Sequence, residues 1–120
     1  MFLNAIVVNG AVSEGKFYDG LTGEEKLSYV VELTVLDADT SEKYVCQLPT
    51  GFPILEELKD MKRNGATPDM LRQRVAQLQP NELPPQLSAL RLEVLKFKGK
   101  QAAFLKLVCR FAQVAASVGA

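Results

Sequence analysis

The sequence predicts a mostly β domain of five strands, with a two-helix insertion between the third and the fourth. Three observations predict it. Apolar residues recur at every second position through residues 26–36 and again near the C-terminus, which is the period of a half-buried strand. The period turns helical only between residues 53 and 78, where Pro53, Thr67 and Pro68 stand at helix-start positions. Clusters of Gly, Asp, Ser and Pro separate the apolar runs. A chain of 120 residues suits a single domain, 1–120, with one core.

The first strand is expected over residues 2–12 (FLNAIVVNGAV), where Gly10 suggests a bulge or bend. Residues 13–24 carry Gly15, Gly20 and Gly23 among scattered charges, so they read as a long hairpin loop or a flexible strand extension. In residues 26–36, Leu27, Tyr29, Val31, Leu33 and Val35 share one face. Lys26, Ser28, Val30, Glu32 and Thr34 share the other. Residues 37–41 make a turn, and residues 42–48 return as the third strand, with Tyr44, Cys46 and Leu48 inward and Lys43 and Val45 outward. The acidic turn lacks the glycine and terminal carboxylate of a calcium loop.

Pro53 opens the first helix, whose stripe Ile54, Leu55, Leu58 and Met61 faces the core before Asn64-Gly65 ends it. Thr67 caps the second helix, which runs to about Leu78 with Arg72 and Arg74 on a solvated face. The proline-rich residues 79–87 form an extended connector. A final hairpin pairs residues 90–97 with 102–111 around Lys98-Gly99-Lys100-Gln101, and the tail 113–120 is a strand extension or frayed. Strand, strand, strand, helical segment (about 50–87), strand, strand is the order of an OB-like barrel, the expected fold. Its second and third strands and its first and last hairpin loops form an oligonucleotide-binding face.

Charge is balanced overall, with 14 basic and 14 acidic residues, yet it is distributed unevenly. Residues 14–57 hold ten acids and three bases, whereas residues 84–120 hold six bases and one acid. A basic terminal hairpin and an acidic middle are therefore expected on different surfaces. Catalysis finds little support. The chain has no histidine, no phosphate-binding glycine loop and only two cysteines, Cys46 and Cys109, far apart in apolar runs. The thiols are expected to be buried and reduced. With no signal peptide and no apolar run of membrane-spanning length, the expected location is cytoplasmic, away from membranes, with no cofactor and no enzymatic role.

Single-stranded nucleic acid is gripped by rings that stack on bases and by cations that follow phosphate. Lys16, Phe17 and Tyr18 bring both kinds of group into a glycine-flanked stretch. Lys26 and Lys43 lie on outward strand positions, and Arg91, Lys96, Phe97, Lys98, Lys100, Phe104 and Lys106 interleave cation and ring along the final hairpin. Phe97 and Phe104 equally suit sealing of the barrel end. These residues make up the candidate site; no metal ligands are expected.

The stretch Ser13-Glu14-Gly15-Lys16-Phe17-Tyr18, followed by an alternating strand and a late basic hairpin, resembles the small helix-destabilising single-stranded DNA-binding proteins of filamentous phages. The motif match covers Gly15, Lys16 and Tyr18, and the layout match covers residues 1–48 and 88–112. The resemblance implies an OB-type barrel, a homodimer or higher homo-oligomer, and cooperative coating of single-stranded DNA during replication with little sequence preference. It further implies that Lys16, Tyr18 and the Lys98–Lys100 hairpin contact the strand. Residues 50–87 depart from that family, whose compact members lack such an insertion. RNA as the ligand stays open. So does a second reading, an OB-like or α+β adaptor or structural component of a phage or mobile element that binds protein through the helical insertion.

Overall fold

Alternation of apolar and polar residues becomes a closed sheet in the computed structural model, which describes residues 1–18, 20–99 and 106–112 apart from the side chains of Phe17 and Glu25. The elements are β1 (Phe2–Tyr18), β2 (Glu25–Asp37), β3 (Lys43–Leu48), α1 (Pro53–Arg63), α2 (Pro68–Ala76), a single 3₁₀ turn (Pro80–Glu82), β4 (Ala89–Lys98) and β5 (Lys106–Phe111). The strands run in the order β1-β2-β3-β5-β4, and β4 returns to pair with β1. All pairs are antiparallel except β3 with β5, where Val45, Cys46 and Gln47 lie beside Lys106, Leu107 and Val108. The mostly β plan with helices between β3 and β4 is thus present. Among the described residues no helix is long and apolar enough to cross a membrane.

The inward positions form one core: Leu3, Ala5, Val31, Leu33, Val35, Cys46, Leu48, Leu92, Val94, Leu107 and Cys109. Burying each large aliphatic side chain there contributes about 1.5–3 kcal/mol. The core is completed by Ile54, Leu55 and Leu58 from α1 and Leu71 from α2. Pro53 starts α1 in the place expected of it, and Thr67 caps α2 by accepting a hydrogen bond from the Met70 amide at 3.3 Å. The Lys62 ammonium donates to the Leu27 carbonyl, tying α1 to β2. Cys46 and Cys109 are free and buried. A hydrogen bond to Cys109, reinforced by burial, pushes the Cys46 thiol far up, while the same bond lowers Cys109.

Several elements differ from the sequence-based expectation. β1 does not stop at residue 12 but continues through Tyr18, paired with β2 as far as Tyr18–Glu25, so of the two readings of this stretch the strand extension holds for residues 13–18. The register shift in β1 falls between Val7 and Asn9, ahead of Gly10. Gly10 is needed for a different reason, since a Cβ there would stand 2.7 Å from Leu33 Cδ2. Tyr29 and Tyr44 are half-buried, because each hydroxyl reaches a carboxylate, Glu14 and Glu42 respectively. Val108 is buried despite its outward parity. Arg72 and Arg74 are not a free solvated face: Arg72 pairs with Glu14, and Arg74 pairs with Glu57 and Glu82. α2 ends at Ala76. The tail 113–120 and the first part of the expected last strand lie outside the described residues.

The joint between β3 and α1 rests on one glycine. Gly51 has φ +97, and a Cβ there would lie 2.6 Å from the Phe111 ring, which itself packs against Phe52 with centroids 5.3 Å apart. Gly51→Ala therefore meets both backbone strain and a steric clash. Its expected cost is about 2 kcal/mol, read as a lower urea midpoint with unchanged slope.

Candidate nucleic-acid interface

The strand register decides which candidate residues share a surface. On β2 the outward side chains are Lys26, Ser28, Val30, Glu32 and Thr34, opposite the set led by buried Leu27, Val31 and Leu33. Cross-strand partners share a face, so Glu32 is joined by Gln47, and Thr34 by Val45. Val45 in turn lies beside Lys106, and Gln47 beside Val108. A register shift between Val94 and Lys96 then sets Lys96 opposite Val108 and Lys98 opposite Lys106. Lys43, two residues before Val45, falls on this face too. Four of the candidate lysines, Lys43, Lys96, Lys98 and Lys106, thereby share the outward surface of β3-β5-β4, while Lys26 lies on the β1–β2 arm beyond the end of β3.

Between the outer half of the β1–β2 pair and β4 the surface dips into a shallow groove of about 150 Å³, lined by Ser13, Glu14, Gly15, Ser28, Val30, Gln47 and Lys98. Small residues keep its floor low. At Gly15 any Cβ would stand 3.2 Å from the Ser28 hydroxyl. Lys98 and Lys106 sit directly opposite one another, a like-charge cross-strand pair that is unfavourable without an anion nearby. Glu32 answers part of that charge: its Oε2 accepts from Lys106 Nζ at 3.1 Å and from Gln47 Nε2 at 3.2 Å.

The other candidates are placed elsewhere. Lys16 and Tyr18 pair with Leu27 and Glu25, which puts them on the opposite side of the β1–β2 arm from Lys26, with Tyr18 72% exposed. Phe17 pairs with Lys26 in the register. Arg91 lies over the Phe2 ring, 4.8 Å from its centroid, beside Asn4 on the β1–β4 part of the sheet. Phe97 falls opposite Leu107 and is 56% exposed. Lys100 and Phe104 lie outside the described residues.

Sequence reading missed the group that holds the arm. Glu14 accepts from the Arg72 guanidinium at 3.1 Å and from the Tyr29 hydroxyl at 2.8 Å, linking α2 to β1 and β2. These contacts hold the Glu14 carboxyl below its ordinary range, Arg72 acting most strongly. Burial first, then the bond to Glu14, pushes the Tyr29 phenol up to about 12. No pattern in the sequence links positions 14, 29 and 72, which meet only in the folded chain. Glu32 was more legible, being the one acid on an outward face shared with Lys26.

The chain matches no family model, no curated protein and no solved structure.

The Glu14 contacts set a pH dependence. A carboxylate held below its ordinary value of 4.5 contributes stability above that pH and loses it as the pH falls through the lowered value. A phenol raised from 10 to about 12 contributes below pH 10 and loses its contribution between those values. Thermal midpoints of the native chain should thus fall on both sides. Arg72→Met should flatten the acid limb below pH 4.5, and Tyr29→Phe should flatten the limb above pH 10.

Proposed function

We propose that the chain binds single-stranded DNA along the lysine-bearing outward face of its closed sheet, with little dependence on sequence from its phosphate contacts. The observation that carries this reading is the register-enforced pairing of Lys98 with Lys106 at the edge of a groove, beside Lys96 and Lys43. Like charges placed directly opposite are unfavourable, Glu32 answers only the Lys106 side of the pair, and a bound polyanion relieves what remains. The strand order, the parallel β3–β5 closure and the helical segment between β3 and β4 support an OB-type barrel, whose β2–β3 face and hairpin loops are an oligonucleotide platform. On this reading the lysine face carries the strand, and the exposed rings of Tyr18 and Phe97 stand on the other faces of the β1–β2 arm and of β4. The resemblance to the phage helix-destabilising proteins extends the proposal to a cytoplasmic homodimer or higher oligomer that coats DNA during replication of a phage or mobile element.

A second reading, protein binding through the insertion, is favoured by one feature. A groove of about 590 Å³ between α1 and α2 is lined by Met61 and Met70 together with Glu56, Glu57 and Asp60. Such a surface suits a basic segment of a partner protein and repels DNA.

Anisotropy titration of labelled dT16 separates the readings. The first expects micromolar or tighter binding in low salt that weakens steeply as salt rises, by about 0.7 in log K per decade of salt for each phosphate neutralised. Lys96→Ala with Lys98→Ala should weaken binding about tenfold or more at low salt and make the slope shallower by about 1 to 1.5. No binding in low salt overturns the proposal. Partner-dependent assembly unaffected by oligonucleotide would then favour the second reading.

A further inference from the structure

Glu32 is out of place on a surface built to hold phosphate. It stands near the middle of the outward face, between Val30 and Thr34 along β2 and between Ala11 and Gln47 across the sheet. Its side chain is 26% exposed and ties down Lys106. A carboxylate there repels phosphate and cancels one of the cations meant for it. On the single-stranded DNA reading, which this inference rests on, phosphate therefore follows the rim lysines Lys96, Lys98 and Lys43. The part of the nucleotide above Glu32 is the base.

The chemistry of the spot suits a base edge rather than a ring face. Its described neighbours, Thr34, Val45, Gln47 and Val108, offer no aromatic platform for stacking. They leave one anionic acceptor flanked by two donors. Gln47 Nε2 and Lys106 Nζ both bond to Oε2, which steadies the carboxylate, while Oε1 carries neither of these bonds. Each carboxylate oxygen accepts about two hydrogen bonds, so Oε1 has capacity where Oε2 is filled.

We propose that Glu32 Oε1 is a base-reading acceptor for the exocyclic amino group of cytosine, with Gln47 and Lys106 as donors toward the neighbouring ring nitrogen and carbonyl. Cytosine presents N4–H₂ beside the acceptors N3 and O2, the complement of one acceptor with two donors. Thymine presents the carbonyl O4 where cytosine has its amino group, and two oxygens then face each other. The surface thus carries a sequence preference over its phosphate affinity: an oligonucleotide rich in cytosine binds more tightly than one rich in thymine.

The test compares dC16 with dT16 at pH 8, where cytosine N3 is unprotonated, by competition anisotropy on the full chain. The native protein is expected to favour dC16 by about fivefold to tenfold, the effect of one charge-assisted base contact. Glu32→Gln is expected to bring the ratio near one while tightening dT16, because the amide removes the negative charge and donates to O4. Gln47→Ala leaves that charge in place and is expected to lower the ratio with dT16 binding little changed. Circular dichroism confirms that both variants fold. Equal affinity of the native chain for the two oligomers, or an unchanged ratio in Glu32→Gln, overturns the proposal. Failure of both oligomers to bind in low salt is a separate result that overturns the DNA-binding reading itself and this inference with it.

Discussion

The parallel contact of β3 with β5 is short, spanning Val45–Gln47 and Lys106–Val108, and much of the molecule depends on it. Without it the β1–β4 and β2–β3 segments would form an open sheet with two bare edges, each exposing unpaired amides and carbonyls. With it the sheet closes, the inward side chains meet across the interior, and Cys46 and Leu107 become neighbours in the core. Parallel strands cannot be joined by a tight turn, so the chain must travel between β3 and β5 by way of other elements. α1, α2, the proline-rich connector and β4 occupy that path.

Closure also sets the electrostatics of the outer surface. β3 carries Lys43, β4 carries Lys96 and Lys98, and β5 carries Lys106. None of these is near another in the chain order except the pair on β4. Once β5 is slotted between β3 and β4, all of them share one face. The register shift between Val94 and Lys96 matters here. It moves the later residues of β4 by one position, so that Lys96 and Lys98, rather than Leu95 and Phe97, join the outward row of Val108 and Lys106. A single irregularity in one strand thereby turns a mixed edge into a cationic one.

The insertion contributes rigidity rather than a separate domain. Leu55 and Leu58 are buried in the common core, and Lys62 reaches the Leu27 carbonyl. Arg74 draws Glu57 of α1 and Glu82 of the connector together, while Arg72 reaches across to Glu14 on the β1–β2 arm. The exposed ion pairs are each worth little alone. Acting from positions two residues apart, and so from opposite sides of one helix, they orient α2 between the connector and the arm. The acidic character of residues 14–57 is thus partly consumed inside the molecule, where Glu14 and Glu57 pair with arginines of α2 and Glu32 pairs with Lys106.

Local rules determined much of this protein from its sequence. Alternation specified β2 and its two faces because side chains in a strand point to opposite sides regardless of partner. Pro53, Thr67 and Pro68 set the helix starts because caps and fixed φ values act within a single turn. The length of β1 was not legible, since Gly15 and its polar neighbours have weak strand propensity and become strand only by pairing with β2. Lys26, Lys43 and Lys106 were legible one by one from parity, whereas Lys96 and Lys98 face outward only through the register shift after Val94. The gathering of the last four on one surface, the exclusion of Arg91, Lys16 and Tyr18 from it, the Glu14–Tyr29–Arg72 link and the place of Glu32 among the cations were decided by tertiary structure. Register and closure bring together residues distant in the chain, and no local preference encodes that distance.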